Sequence, residues 1–174
     1  MPPCSRMATR SPFCPRSQAA DPGRYRMNAD VRLLQAPLDA SGELAAFTAA
    51  HRAAGGVVSF LGQVREGDGV EALELRHYGP LTEPAMRALG ESVLERWSLE
   101  GLLILHRAGV MEPGDPIVLV AAAARHRRDA FAAADFAMDH LKSESWFWKR
   151  EKADGAWHWI EPREQDYADI ARWD

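Results

Sequence analysis

At 174 residues, with 47% hydrophobic and 26% charged side chains, the chain is long enough for one domain with a real core and has an ordinary soluble, globular composition. Its formal charge of −4 is uneven: residues 1–27 hold five arginines and one acid, and taking these from 21 basic and 25 acidic residues leaves 16 against 24, or −8, over residues 28–174. That acidic balance makes a poor general nucleic-acid binder, and no apolar run reaches the roughly eighteen residues of a membrane span.

Residues 1–27 are rich in Pro, Ser and Arg, show no hydrophobic period and read as a disordered extension. They lack the apolar stretch of a secretory signal. Their Arg-rich, acid-poor composition is that of some organelle transit peptides, while Met27-Asn-Ala-Asp-Val makes an equally natural start. Both cysteines, Cys4 and Cys14, fall in this segment. Residues 28–174, expected to form the single functional domain, therefore have no disulfide framework, cysteine zinc site or cysteine nucleophile. A reducing cytoplasm is the expected setting.

Val31 to Leu34 reads as a short strand. Ser41 to Ala53 reads as a helix with Asp39 or Ser41 as N-cap, closed by Gly55-Gly56. Val57 to Val64 is a strand, Arg65 to Gly69 a turn, and Val70 to Tyr78 alternates as a hairpin partner. Gly79-Pro80 breaks the chain before a helix from Thr82 to about Trp97. Leu102 to His106 and Pro116 to Ala124 are strands on either side of a Glu112–Asp115 turn. Arg127 to Lys142 is a third helix and Trp157 to Ile160 a late strand. Strands and helices mix without strict alternation, so the fold class is α+β, with a mixed or antiparallel sheet and about three helices.

Three constellations carry possible chemistry. Lys142 and Lys149 lie seven residues apart, one closing an apolar helical run and one following Trp146-Phe-Trp148. Apolar neighbours desolvate a lysine and lower its pKa towards the range useful for proton transfer; the alternative is a pair of solvated lysines favoured by a helix C-terminus. Arg125-His-Arg-Arg128 sits where a strand gives way to a helix, whose first turn offers free N–H groups to an anion. Basic residues oppose the dipole there, so the cluster is mildly unfavourable for stability; it is an anion site or a solvated basic turn. Phe60-Leu-Gly-Gln-Val-Arg65 ends a strand with a glycine that lets a ligand approach and an arginine suited to phosphate, or is simply a hairpin with an exposed arginine. The histidines have no metal-ligand spacing, and no metal or cofactor is expected.

One geometric constraint links two of these. His126 and Lys142 are sixteen residues apart along one helix, or roughly 24 Å at 1.5 Å per residue. A small substrate cannot touch both from a single straight helix. The two are independent sites, or one composite site shared by two protomers.

Val57-Val-Ser-Phe-Leu-Gly-Gln-Val-Arg65, Leu73-Glu-Leu-Arg-His-Tyr78, His106-Arg-Ala-Gly109, Glu112-Pro-Gly-Asp115, Ala124-Arg-His-Arg127, Met138-Asp-His-Leu-Lys142 and Phe147-Trp-Lys-Arg-Glu151 resemble, in order, the molybdopterin synthase catalytic (large) subunit family over about residues 30–173. The resemblance implies an α/β hammerhead fold and a homodimer within a heterotetramer that includes a small ubiquitin-like sulfur-carrier subunit. It implies a sulfurtransferase of molybdenum cofactor biosynthesis. Sulfur would pass from the thiocarboxylated C-terminal glycine of the carrier to cyclic pyranopterin monophosphate, forming the molybdopterin dithiolene. An enzyme with no cysteine in its domain must receive such sulfur from elsewhere.

By position, Lys142 and Lys149 match the essential lysines of the family. Gln63, Val64 and Arg65 match its pterin-contacting strand end, His126 and Arg127 its phosphate contacts, and Lys149, Arg150 and Glu151 its last binding segment. Phe60 and Met138 match pocket-wall positions, and Arg163 a further basic one. The family commonly has Lys where Gln63 stands and Pro where Trp146 stands, so a charge is missing and the loop expected to carry Lys149 is altered. The alternative of another class is a non-catalytic module that docks a ubiquitin-like tail or a phosphate; a degenerate homologue of that kind would be expected to lose a lysine.

Overall fold

The computed structural model describes residues 29–67, 69–143, 146–161 and 164–173. The basic extension of residues 1–27 and Arg163 lie outside them. Elements follow in the order β1 (Asp30–Leu34), α1 (Ala40–Ala50), β2 (Gly56–Gln63), β3 (Val70–His77), α2 (Gly79–Arg96), β4 (Leu99–Arg107), β5 (Gly109–Met111), β6 (Pro116–Ala124), α3 (Arg127–Ser143), β7 (Phe147–Ala153), β8 (Ala156–Ile160) and α4 (Glu164–Ala171). The first sheet has the order β1-β4-β6-β2 and the second β5-β3-β7-β8. Among the described residues, only the β1–β4 pairing is parallel. The result is a single α+β domain of the hammerhead type.

Alternation along β6 sorts its side chains into two cores. Val118, Val120, Ala122 and Ala124 join the main cluster under α2 and α3. Leu119, Ala121 and Ala123 face the other way and pack with Leu103, Leu105 and Phe47 of α1. The first sheet is thus covered on both faces, which is why its central strands read as continuous apolar runs. A third, smaller cluster of Val64, Leu73, Leu75 and Met111 fills the second sheet. Phe147 packs against both the first and the third cluster, so its ring joins the two sheets.

Several expectations hold. Asp39 caps α1, accepting from the Gly42 N–H at 3.0 Å, although the helix stops at Ala50. The strand β6 and the start of α3 fall where the pattern placed them. The three expected helices are α1, α2 and α3; a short α4 is added.

The pairing of β3 is corrected. It is not the hairpin partner of β2, which pairs with β6; β3 pairs with β5 and β7 in the other sheet. The intervening turn contains Gly67 at φ 129° and Gly69 at φ 70°, conformations open to glycine that redirect the chain between sheets. Alternation in two neighbouring strands shows that each has a buried face but not which partner it takes. Gly79-Pro80 likewise opens α2 instead of preceding it, because proline suits the first helical turn. The segment expected to be a loop bearing Lys149 is strand β7, closed onto β8 by Asp154-Gly155, with φ values of 51° and 76°. Two positive φ values make this the favoured two-residue hairpin turn. Among the described residues, no helix is long and apolar enough to cross a membrane.

His106, at the end of β4, stacks on Phe147 with ring centroids 4.1 Å apart and planes 15° apart. Its Nδ1 donates to the Arg107 carbonyl at 3.0 Å. Burial pushes its pKa from 6.5 down to about 4. The folded protein therefore favours the neutral ring, and this contribution to stability is complete above about pH 6.5 and lost as pH falls towards 4. His106→Phe, which keeps an aromatic ring at the stack, should show a shallower loss of stability between those pH values in denaturant titrations. Identical slopes for the two proteins would contradict this.

Candidate active site

The two ends of the β2–β6 ladder carry different groups. Gly56 pairs with Ala124 at one end and Gln63 with Pro116 at the other. The register shifts between Gly62 and Gln63, and such a bulge re-aims the side chains that follow it. A Cβ at Gly62 would lie 2.7 Å from Val118 Cγ1, so the close approach requires glycine. Beyond the bulge the chain is clamped to the Glu112–Asp115 turn. Val64 N–H donates to the Asp115 carbonyl at 2.9 Å, and Gly114 N–H donates to the Val64 carbonyl at 2.8 Å. Gln63 Nε2 donates to the Gly114 carbonyl at 3.0 Å. The buried Arg107 braces the same turn through Asp115 Oδ2 at 2.9 Å. Val64 is consequently a core residue and the Gln63 amide is engaged, whereas Arg65 is exposed.

At the opposite end, β6 runs into α3 through Arg125, His126, Arg127 and Arg128, all exposed. The His126 carbonyl closes the first turn, accepting from Asp129 N–H at 3.1 Å. A Cβ at Gly55 would collide with the Arg125 carbonyl, so the start of β2 is held tightly beside this junction. Four cationic or imidazole side chains thus surround a helix N-terminus with amides to offer an anion.

The far end of α3 returns to the Arg65 end. Val118 pairs with His106, Phe147 stacks on His106, and Thr82 Oγ1, in the first turns of α2, donates to the Trp146 carbonyl at 2.9 Å. Residues 146 and 147 are therefore fixed at the β6 N-terminal end of the sheet. Lys142 in the last turn of α3 and Lys149 on β7 flank them. On β7, Lys149 pairs with Leu75 and Ile160, so it shares an apolar face with Phe147 and Glu151. Both lysines are exposed in the single chain, so the desolvation expected from the aromatic cluster is not supplied by one chain.

Arg150 points to the other face of β7. Its guanidinium ion-pairs with Glu74 and lies 4.6 Å from the Trp157 ring and 5.5 Å from the Trp159 ring. Burial alone would raise the Glu74 carboxyl, but hydrogen bonds from Arg150 and Arg76 outweigh it and hold the group below the usual carboxylate range. Phe60 is exposed on the edge strand, whereas Met138 is buried in the main core. In one chain, then, Arg65, Lys142 and Lys149 gather at one end, His126 and Arg127 stand at the other, and Arg150 faces away from Lys149. Sequence reasoning passed over Thr82 and His106; a threonine in a first helical turn and an isolated histidine carry no distinguishing signal.

Residues 33–144 match the family described as MoaE protein. The chain is 42% identical over 146 residues to a molybdopterin synthase catalytic subunit of Ralstonia nicotianae, covering 82% of this chain and 83% of that one. The chain belongs to the MoaE family. Among solved structures, molybdopterin cofactor biosynthesis protein E of Burkholderia multivorans superposes with a TM-score of 0.71 at 39% identity, covering 84% of this chain and 97% of that one. A complex of subunits 1 and 2 of the molybdopterin-converting factor from Helicobacter pylori shares the fold, with a TM-score of 0.67 at 19% identity over 76% of this chain and 91% of that one. Membership of this family of catalytic subunits supports an enzymatic, sulfurtransferase role.

The geometry at Arg150 separates structural from binding roles within this MoaE chain. Arg150→Ala should cost about 1–3 kcal/mol of stability by stranding the half-buried Glu74, read from chemical denaturation. Arg150→Lys should recover only part, since an ammonium cannot reproduce the planar stack on two indoles. An Arg150→Ala protein as stable as the parent would show that the ion pair contributes nothing.

Proposed function

We propose that this protein transfers sulfur from the thiocarboxylated C-terminal glycine of a small ubiquitin-like carrier to cyclic pyranopterin monophosphate, forming the molybdopterin dithiolene. The observation that carries this reading is the pairing of Lys142 and Lys149 on either side of one anchored connection, at the same end of the sheet as Arg65. A thiocarboxylate and a phosphorylated pterin are both anionic, and both suit a site built from ammonium and guanidinium groups. One lysine assists release of the carrier sulfur; the other binds or protonates the pterin intermediate. The two-subunit assembly of the Helicobacter pylori neighbour supports a small partner subunit.

The pocket is composite. The α3 helix runs unbroken from Arg127 to Ser143, so His126 and Lys142 stand roughly 24 Å apart. We assign His126 and Arg127 of one protomer to the substrate phosphate, and Lys142 and Lys149 of the second protomer of a homodimer to the chemistry. Gln63, Val64 and Arg65 border the pterin; Val64 acts there through its backbone placement of Arg65. Glu151 lies on the face of Lys149 and belongs to the same segment. Closure of the carrier tail and a second protomer over the exposed lysines would provide the desolvation that one chain lacks.

Purified protein mixed with thiocarboxylated carrier and cyclic pyranopterin monophosphate should yield molybdopterin. Lys142→Ala and Lys149→Ala should each lower product formation by about 100-fold or more, the scale of a lost general acid or base, while thermal unfolding stays near that of the parent. Lys152→Ala is the control, since Lys152 is engaged with Glu71 at 2.6 Å, and it should retain activity. Near-normal turnover by either pocket variant would remove that lysine from the mechanism, and failure of the parent protein to form product would favour a binding module.

A further inference from the structure

Lys142 and Lys149 ride on elements that diverge. The first ends a helix packed on the first sheet, and the second begins a strand of the other sheet. Their relative placement depends on how the chain between them is held. Among the described residues, two of the contacts that hold it come from elsewhere in the sequence. Thr82 has no solvent exposure, and its hydroxyl donates to the Trp146 carbonyl at 2.9 Å. Thr82 is itself fixed at the start of α2, its N–H donating to the Tyr78 carbonyl at 2.9 Å. One residue further on, the Phe147 ring stacks on His106 at 4.1 Å. The donor side of this bond is fully buried and Trp146 is half-buried, and a bond so placed is stronger than an exposed one. The carbonyl it fixes lies four residues after Lys142 and three before Lys149.

We propose that Thr82 is a positioning residue for sulfur transfer, holding the Trp146 carbonyl so that Lys149 and Lys142 face one substrate, with the His106–Phe147 stack as the second clamp. This rests on the sulfur-transfer reading of the two lysines. Thr82 touches no reacting atom. Its contribution is orientation, and misplacement of a catalytic group by about 1 Å can cost on the order of 100-fold in rate.

The test uses the full chain with thiocarboxylated carrier and cyclic pyranopterin monophosphate. Thr82→Val removes the hydroxyl at nearly constant volume; Thr82→Ser keeps it. Thr82→Val should lower kcat by about ten- to a hundredfold with KM changed less than about threefold, and Thr82→Ser should restore kcat to within about threefold of the parent. If Thr82→Val does not fold, Thr82→Ala takes its place in the comparison. A second readout is the labelling rate of Lys149 relative to Lys152 by an amine-reactive reagent, which should change in the variant lacking the hydroxyl. Parental kcat and an unchanged labelling ratio in that variant, while Lys149→Ala is inactive, would overturn the positioning role and leave sulfur transfer standing. An active Lys149→Ala would instead remove the reading beneath it, and the proposal with it.

Discussion

Ala130, Ala133, Ala134 and Ala137 of α3 meet Ala122 and Ala124 of β6, and none of the six is more than 4% exposed. Methyl groups on both sides let the helix lie close against the sheet along its length. An added methylene in such a seam forces neighbours off their rotamers and costs about 1–3 kcal/mol. Along this seam α3 packs on the sheet as one unbroken helix. Its first turn presents His126 and Arg127 at one end, and its last turn presents Lys142 at the other. The separation of the two basic clusters is set by this helix, and the proposed composite pocket rests on that separation.

The second constraint is the join between the sheets. The hammerhead arrangement hangs β7 and its partners from the end of the first sheet, and a strand so placed would be free to tilt unless it were pinned there. Phe147 contributes to both cores and stacks on a histidine that burial keeps neutral. Thr82 fixes the carbonyl just before it. Lys149 follows two residues later, so its precision is inherited from groups with no chemical role of their own. On the reverse face of β7, the Glu74–Arg150–tryptophan ladder stiffens the same strand.

The legible parts of the fold were those where local physics decides. The run Pro116–Ala124 has the length and composition of a buried strand, and Asp39 and Ser41 both have the chemistry of a cap, of which Asp39 is the one used. The partner of β3 was not legible, because alternation reports a buried face and not a neighbour. Strand β7 was hidden by its composition: Lys149, Arg150, Glu151 and Lys152 look like a solvated run until cross-strand partners such as Leu75, Glu74 and Trp159 are known. The Asp154-Gly155 pair is itself a hairpin-turn signal. For the candidate site, the sequence shows the basic residues and their spacing, and helix rise alone gives the distance between His126 and Lys142. It could not show that Arg150 turns away from Lys149, that Val64 is core, or that a threonine far earlier in the chain holds the connection between the lysines.

The claim that the pocket is shared between protomers is tested most directly by complementation. Arg127→Ala and Lys142→Ala homodimers should each be weak or inactive. In a mixed dimer carrying one of each, one pocket collects both defects and the other has neither. Subunit exchange between the two variants should therefore restore molybdopterin formation, up to about half the parental rate per mixed dimer if the pockets act independently. No recovery, with exchange demonstrated by a tagged subunit, would place both groups in one protomer's pocket and contradict the geometry of an unbroken α3.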